Sequence, residues 1–436
     1  QLCLLVWGSF AKGAPSDWSL RAPAKSPLPA VVTTVAHPAA AVPQPLEIVL
    51  GLPLLARGPS YTCAMLARGM HGGDAGAALA ARLHAPTADW QGPPLGLPAA
   101  PVIGAHWPRL RRMGWRWGRP QLMGLIERRL LDAVEARPDA MVWTFGEVPI
   151  TLSRNLARRG VRVVREKFNC TKATAQAILA AEHDRLGLPP FSGISQAMLD
   201  KEAEELALAT AVFSPSPEVT RSLTALGVPQ QRILESSYGW EPSRMLGTGR
   251  ALPPTGGVTL VFVGLLTARK GIHTLLEAWA QAGICGRLVL AGRVDGLIAQ
   301  RYGHILARPD VVHLGFVDDV ASVLRSADWF VFPSLEEGSP LVTYEAAACG
   351  LPALVSPMGS GGVIRDGIEG VVLGGNRVAD WAALIASLPA RAAERDQMGA
   401  AARARAQDFT WDAVGARRRG QLLALAAREQ QGRARP

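Results

Sequence analysis

Short apolar runs of strand length recur along this chain, separated by stretches of helical character, and that alternation restricts its fold more than any other feature. In the first half the runs lie at 46–52, 141–144, 161–165 and 212–216. In the second they lie at 258–263, 287–291, 311–314, 329–332 and 352–355. Strand, helix and strand in steady succession imply parallel sheets covered by helices. The chain has 436 residues, more than one hydrophobic core usually supports. The Gly/Pro-rich stretch at 247–257, preceded by Gly227-Val228-Pro229, divides it in two. The expectation is two α/β halves in tandem, with a ligand in the cleft that faces the carboxyl ends of their strands.

The formal net charge of +10 favours anionic partners without choosing among phosphates, acidic lipids and nucleic acid. No uncharged apolar stretch reaches the roughly 18 residues that a membrane-crossing helix needs. The five cysteines are scattered, with no Cys-x-x-Cys pair, and fit a reducing, cytoplasmic setting. Residues 1–45 read as an irregular lead-in rich in Pro, Ala and Ser, and the apolar opening lacks a basic leader and a cleavage site. No cluster with metal-ligand spacing is visible, so neither a metal nor a cofactor is expected.

The segment with most chemical content is Phe332-Pro333-Ser334-Leu335-Glu336-Glu337-Gly338-Ser339-Pro340-Leu341-Val342-Thr343-Tyr344-Glu345, followed by Gly350-Leu351-Pro352. It reads as strand, loop and short helix, with Ser339 as the cap, Pro340 in the first turn, and Gly350 and Pro352 as the stop. A helix N-terminus presents unpaired N–H groups and partial positive charge, which suits a diphosphate. Glu345, on the helix, can accept two hydrogen bonds from vicinal ribose hydroxyls, and Glu337, in the loop, can reach a sugar.

With these residues in view, the chain resembles the retaining glycosyltransferases of family four, whose GT-B fold sets two Rossmann-like domains face to face around a donor cleft. Glu337 and Glu345 meet the family's Glu-x7-Glu signature, and Ser326-Ala327-Asp328, Phe332-Pro333-Ser334 and Gly350-Leu351-Pro352 match its flanks. The resemblance implies that Glu337 contacts the transferred sugar, that Glu345 holds the ribose, and that Ser339, Pro340, Leu341 and Val342 surround the diphosphate. Phe262-Val263-Gly264-Leu265-Leu266-Thr267-Ala268-Arg269-Lys270 resembles the strand and loop that bring a basic pair to the phosphates. That assigns Gly264, Arg269 and Lys270 to the donor, with Leu265 standing where relatives often have arginine. His313-Leu314-Gly315-Phe316 resembles a strand end near the nucleotide base, which brings in Phe316. Relatives often carry a glutamate where this chain has Gly362.

The resemblance also divides the chain: 46–240 as an acceptor domain, 241–256 as linker, 257–405 as the nucleotide-sugar domain, and 406–436 as a helix crossing back. Gly58, in Arg57-Gly58-Pro59-Ser60-Tyr61, and Glu147, after the run at 141–144, are candidates for the acceptor side of the cleft. The cation and indole mixture around Trp107, Arg111, Trp115 and Trp117 suits a membrane interface, and so a glycan or lipid-linked acceptor at the inner membrane face. Arg417-Arg418-Arg419 reads as the polar side of the terminal helix. The implied activity is metal-independent transfer of a sugar, hexose-like, from a nucleotide-diphosphate donor with retention of configuration. Its rival is a non-catalytic sugar-nucleotide-binding or scaffold protein with the same fold. A nicotinamide enzyme would need a Gly-x-Gly-x-x-Gly turn after a strand, and no such turn stands in the expected place. The basic tail comes without a nucleic-acid recognition module.

Overall fold

The computed structural model describes residues 42–74, 77–104 and 118–433, with side chains as far as Arg428. The residues at Trp107, Arg111, Trp115 and Trp117 lie outside the described residues. The first sheet is built from β1 (Gln44–Leu50), β2 (Leu54–Leu55), β3 (Leu79–Asp89), β4 (Ala99–Ile103), β5 (Met141–Phe145), β6 (Arg162–Glu166), β7 (Ala211–Ser214) and β8 (Ile233–Glu235). Its order is β2-β3-β1-β5-β6-β7-β8, with β4 on the far side of β3. The second sheet contains β9 (Val258–Val263), β10 (Gly286–Ala291), β11 (Val311–Gly315), β12 (Trp329–Phe332), β13 (Ala353–Val355) and β14 (Gly370–Val372), in the order β11-β10-β9-β12-β13-β14. The pairings within both sheets are parallel.

Consecutive apolar residues make the central strands because a sheet with helices on both faces has no wet side. Leu260, Val261 and Phe262 of β9 and all four residues of β12 are buried. The strand β3 breaks this rule, which is why the apolar runs do not include it. It contains Arg82, His84 and Pro86, yet pairs with β1 from Leu79 to His84. Arg82 is exposed, and buried His84 meets buried Glu47 of β1 at 2.6 Å. The buried imidazole is thus accommodated by a hydrogen-bonding partner in place of an apolar neighbour.

The terminal helix Trp411–Arg433 lies against the first helix, Gly58–Met70. The crossing is close enough to require glycine on both sides: a Cβ on Gly415 would come within 2.2 Å of the Gly69 carbonyl carbon, and one on Gly69 within 2.5 Å of the Trp411 oxygen. Arg418 of this helix does not belong to a polar side. It is fully buried, donates to Glu166 of β6 at 2.8 and 3.1 Å, and lies 4.3 Å over the Phe213 ring. A cation there is tolerable because Glu166, itself buried, is its counter-ion, and Trp143 and Tyr238 fill the carboxylate's remaining sites at 3.1 Å each.

On the opposite flank the helices Lys172–Arg185 and Ile272–Ala282, one from each half, meet through His273 Nε2 and Glu182 Oε1 at 2.5 Å. Asn376 donates to the other Glu182 oxygen at 3.2 Å. Among the described residues no helix is long and apolar enough to cross a membrane.

Candidate active site

Between the two sheets lies a cleft of about 1150 Å³. Its walls come from the carboxyl ends of strands on both sides: Phe145 from β5, Phe168 and Asn169 after β6, Val263, Gly264 and Leu265 at the end of β9, and Phe332 at the end of β12. Backbone polar groups are left unpaired where parallel strands stop, so side chains on the loops beyond them can be aimed at a ligand.

The loop after β12 carries Glu337 into this cleft. Glu337 Oε1 accepts from Ser334 Oγ at 2.8 Å and forms an ion pair with Lys270. Lys270 comes from the β9 loop, where its ammonium also lies 5.3 Å from the Phe332 ring centroid. The two loops touch because Gly271 has φ +68° and no side chain; a Cβ there would sit 2.0 Å from the Pro333 carbonyl oxygen. Burial pushes the Glu337 carboxyl up, but the charges of Lys270 and Arg269 and the bonds from Lys270 and Ser334 outweigh it and hold it below its ordinary value. Burial pulls the Lys270 ammonium below its ordinary value, with Glu337 opposing.

The helix Leu341–Ala348 starts one residue later than the sequence suggests. Pro340 is its cap, in extended conformation, and Ser339 does not bond the first turn. The Ser339 hydroxyl instead meets Tyr344 Oη at 2.7 Å, while the Tyr344 hydroxyl bonds the Gly361 carbonyl and Thr343 Oγ bonds the Gly359 carbonyl at 2.8 Å. The loop at 359–361 therefore braces the helix start, and its first amides have no intrahelical acceptor. Leu341, Val342 and Glu345 line the cleft together with Ser339 and Pro340. Burial raises the Glu345 carboxyl, against a smaller opposing effect of Arg244.

The first half of the chain completes the site. The Cys170 amide donates to the Glu337 carbonyl at 3.2 Å, and the Ser216 hydroxyl, which also caps the helix Pro217–Ala225, bonds the Gly338 carbonyl. Gly338 runs so close to Phe168 that a Cβ would fall 1.7 Å from its carbonyl oxygen. Gly58 lines the opposite wall at the start of the helix Gly58–Met70, with Arg57 and Tyr61 beside it.

Three candidates stand elsewhere. Glu147 lines a separate small groove with Arg119 and Lys201, 3.8 Å from the Arg119 guanidinium, because Gly146 at φ +80° turns the chain away as β5 ends. Arg269 does not line the cleft. Its guanidinium donates to the carboxylate and the carbonyl of Glu336 at 2.9 and 3.0 Å, the neighbouring carboxylate being its nearer partner. Phe316 is 40% exposed and outside the lining, where Asp318 of the same loop and Val320, at the start of the next helix, take its place. Residues that no motif marked, Asn169, Tyr238 and Arg244, face the cleft instead. Asn169 and Tyr238 sit in irregular segments and Arg244 in a four-residue helix, Pro242–Met245, where neither periodicity nor spacing distinguishes a cleft residue from an ordinary surface one. Among the described residues, no group of three or more His, Cys, Asp and Glu side chains could hold a metal ion.

Comparison with known proteins agrees with this fold. Residues 257–390 match the family model described as glycosyl transferases group 1. Among curated proteins, the D-inositol 3-phosphate glycosyltransferase of Rhodococcus erythropolis is 31% identical over 179 residues, 36% of this chain and 39% of that protein. The enzyme of the same name from Actinosynnema mirum is 29% identical over 235 residues, 49% of this chain and 53% of that protein. The chain thus spans from about two fifths to half of the length of these relatives. Among solved structures, Anabaena HepE in complex with UDP and glucose superposes with a TM-score of 0.60 at 14% identity, over 87% of this chain and 99% of that one. Sucrose-phosphate synthase from Thermosynechococcus elongatus gives 0.62 at 18% identity, over 87% and 98%. The described chain has the two-domain GT-B fold of glycosyltransferases, and residues 257–390 in its second domain are similar to glycosyl transferases group 1.

Proposed function

We propose that this protein is a retaining, metal-independent glycosyltransferase of family four, moving a sugar, hexose-like, from a nucleoside-diphosphate donor to a glycan or lipid-linked acceptor. The observation that carries the reading is the convergence of Lys270, Glu337 and Glu345 on one cleft, beside the open N-terminus of the helix Leu341–Ala348. Each group then has a task. The helix amides and Lys270 face the diphosphate, Glu345 takes the ribose hydroxyls, and Glu337, kept ionised by Lys270, faces the transferred sugar.

In the reaction the bond from the anomeric carbon to the diphosphate oxygen breaks, and the acceptor oxygen bonds to that carbon on the same face. The acceptor's proton passes to the departing diphosphate. Charge grows on the diphosphate as this happens, so cations and amides aimed at it stabilise the transition state more than the ground state. Curated relatives named for D-inositol 3-phosphate, and solved neighbours holding UDP and glucose, support a nucleotide-sugar donor. A cytoplasmic setting, with contact to the inner membrane face through Trp107, Arg111, Trp115 and Trp117, belongs to the same proposal. The scaffold alternative gains nothing from a cleft that keeps an ion pair and a second carboxylate facing the same space.

The test is thermal unfolding against UDP, GDP, ADP and their common sugar conjugates, with and without EDTA, followed by product analysis with the donor that binds. The expected outcome is a rise in Tm with one nucleotide family, unchanged by EDTA, and a product whose anomeric coupling matches that of the donor. Inverted product removes the retaining assignment, and dependence on added metal removes the metal-free one. Folded protein that responds to no nucleotide and transfers no sugar leaves the scaffold reading in its place.

A further inference from the structure

Building on the donor reading above, we infer that Cys170 and Ser216, both in the first domain, are positioning residues for Glu337 in the second. The loop that bears Glu337 runs from the end of β12 to the helix Leu341–Ala348. As far as Leu335 it is held from its own domain, the Leu335 amide donating to the Arg269 carbonyl at 2.9 Å. The carbonyls of Glu337 and Gly338 are instead taken from the first domain, by the Cys170 amide at 3.2 Å and by the Ser216 hydroxyl. The Cys170 thiol donates in addition to Glu336 Oε1 at 3.3 Å, while Arg269 bonds the other oxygen of that carboxylate. Burial and the Glu336 charge push this thiol well above its ordinary value, so at neutral pH it keeps its proton and acts as a donor. Three successive residues, Glu336, Glu337 and Gly338, thus each take a bond from the other domain.

Both donors are themselves fixed. Cys170 directly precedes Thr171, the cap of the helix Lys172–Arg185, whose amide donates to Ser222 Oγ at 3.0 Å. The Cys170 carbonyl accepts from Lys167 Nζ at 2.8 Å, and Lys167 is anchored to Glu202 at 2.9 Å, all three residues being buried. Ser216 caps the helix Pro217–Ala225, accepting from the Val219 amide at 3.4 Å while it donates to Gly338. One hydroxyl serves both bonds because it is donor and acceptor at once. Lys270 cannot replace these contacts, since an ammonium on a flexible stem tolerates a shifted carboxylate. Two bonds on adjacent carbonyls fix the direction of the main chain, and with it the reach of Glu337 into the cleft. The carboxylate is therefore set by the domain that does not carry it.

The double variant Cys170→Ala/Ser216→Ala removes both side-chain donors, and Cys170→Ser and Ser216→Thr are the replacements that keep a hydroxyl. Each is compared with wild type in melting temperature, in Kd for whichever of UDP, GDP and ADP binds, and in KM and kcat for release of that diphosphate from its sugar conjugate, with water as the acceptor. The double variant is expected to lose about ten- to a hundred-fold in kcat, the scale of displacing a reacting group by about 1 Å. Its Kd and KM should stay near wild type, amide hydrogen exchange over residues 334–340 should quicken, and the hydroxyl variants should recover most of both changes. Wild-type kcat, or wild-type exchange over 334–340, overturns the inference, because the loop then holds itself. Parallel losses in melting temperature, Kd and kcat overturn it too, since they mark a part in folding alone. If the double variant does not fold, Cys170→Ala, which keeps the Ser216 cap, is read by the same quantities and the same outcomes. Folded wild type that binds no diphosphate and releases none from any conjugate refutes the donor reading itself, a result visible before any variant is examined.

Discussion

Two buried ion pairs, one in each half of the molecule, show how the same chemistry serves different ends. Glu166 and Arg418 are both fully buried, and every oxygen of the carboxylate is bonded: to the guanidinium, to Trp143 and to Tyr238. Glu337 and Lys270 are also largely buried, with side chains 8% and 14% exposed, but they border the cleft, and Glu337 takes its side-chain bonds at one oxygen, Oε1. A pair with all its valences filled fixes structure. A pair with an unfilled oxygen on an accessible wall can meet a substrate.

The largest effect should come from breaking the closed pair. Arg418→Ala leaves Glu166 charged and unpaired in a dry site, at a cost of about 3–5 kcal/mol, and releases the terminal helix from β6. Denaturant unfolding should show that loss, while replacing both residues with apolar ones of similar volume should recover much of it. Wild-type stability in the single variant would mean that water reaches Glu166.

The open pair should behave in the opposite way. Glu337→Gln keeps the shape and a bond to Ser334, so its melting temperature should stay near wild type while turnover falls about a hundred-fold or more, the scale of removing one electrostatic contact to the reacting centre. Equal losses of stability and turnover would erase the contrast between the pairs.

A smaller effect, and a pH-dependent one, is expected at the interdomain contact of His273 with Glu182. Burial opposes the Glu182 charge, but hydrogen bonds from His273 and Arg185 prevail and bring its carboxyl from an ordinary 4.5 to about 2. The unfolded chain then binds the proton more readily, so this contribution is complete above 4.5 and is lost as pH falls from there towards 2. Glu182→Gln should flatten the stability profile within that window and leave it unchanged near neutrality in slope. The smallest effect belongs to Glu147→Ala, outside the cleft: donor KM and turnover should stay within about twofold of wild type, as for a surface change remote from the site.

How far the sequence could be read differs between the two domains. In the second, β9 and β12 occupy the residues their apolar runs indicate, and short loops carry Lys270 and Glu337 directly from the strand ends. Local pattern and site coincide because the chain enters the cleft straight after each strand. In the first, β3 contains Arg82, His84 and Pro86, and its cleft residues Phe168 and Asn169 follow β6 without any motif. Polarity there is compensated by partners far along the chain, such as Glu47 for His84, which no local window contains.

The sequence by itself determined the alternation of strands and helices and the parallel sheets that follow from it. These rest on local sterics and on the cost of exposing apolar surface, both properties of neighbouring residues. Only the tertiary structure decided which charges are buried and which are available: that Arg418 lies inside, that Arg269 faces Glu336, that Arg244 enters the cleft and Glu147 leaves it. The energy of a charge depends on its solvent and its counter-ion, and for Arg418 the counter-ion is Glu166, on a strand 252 residues earlier in the chain.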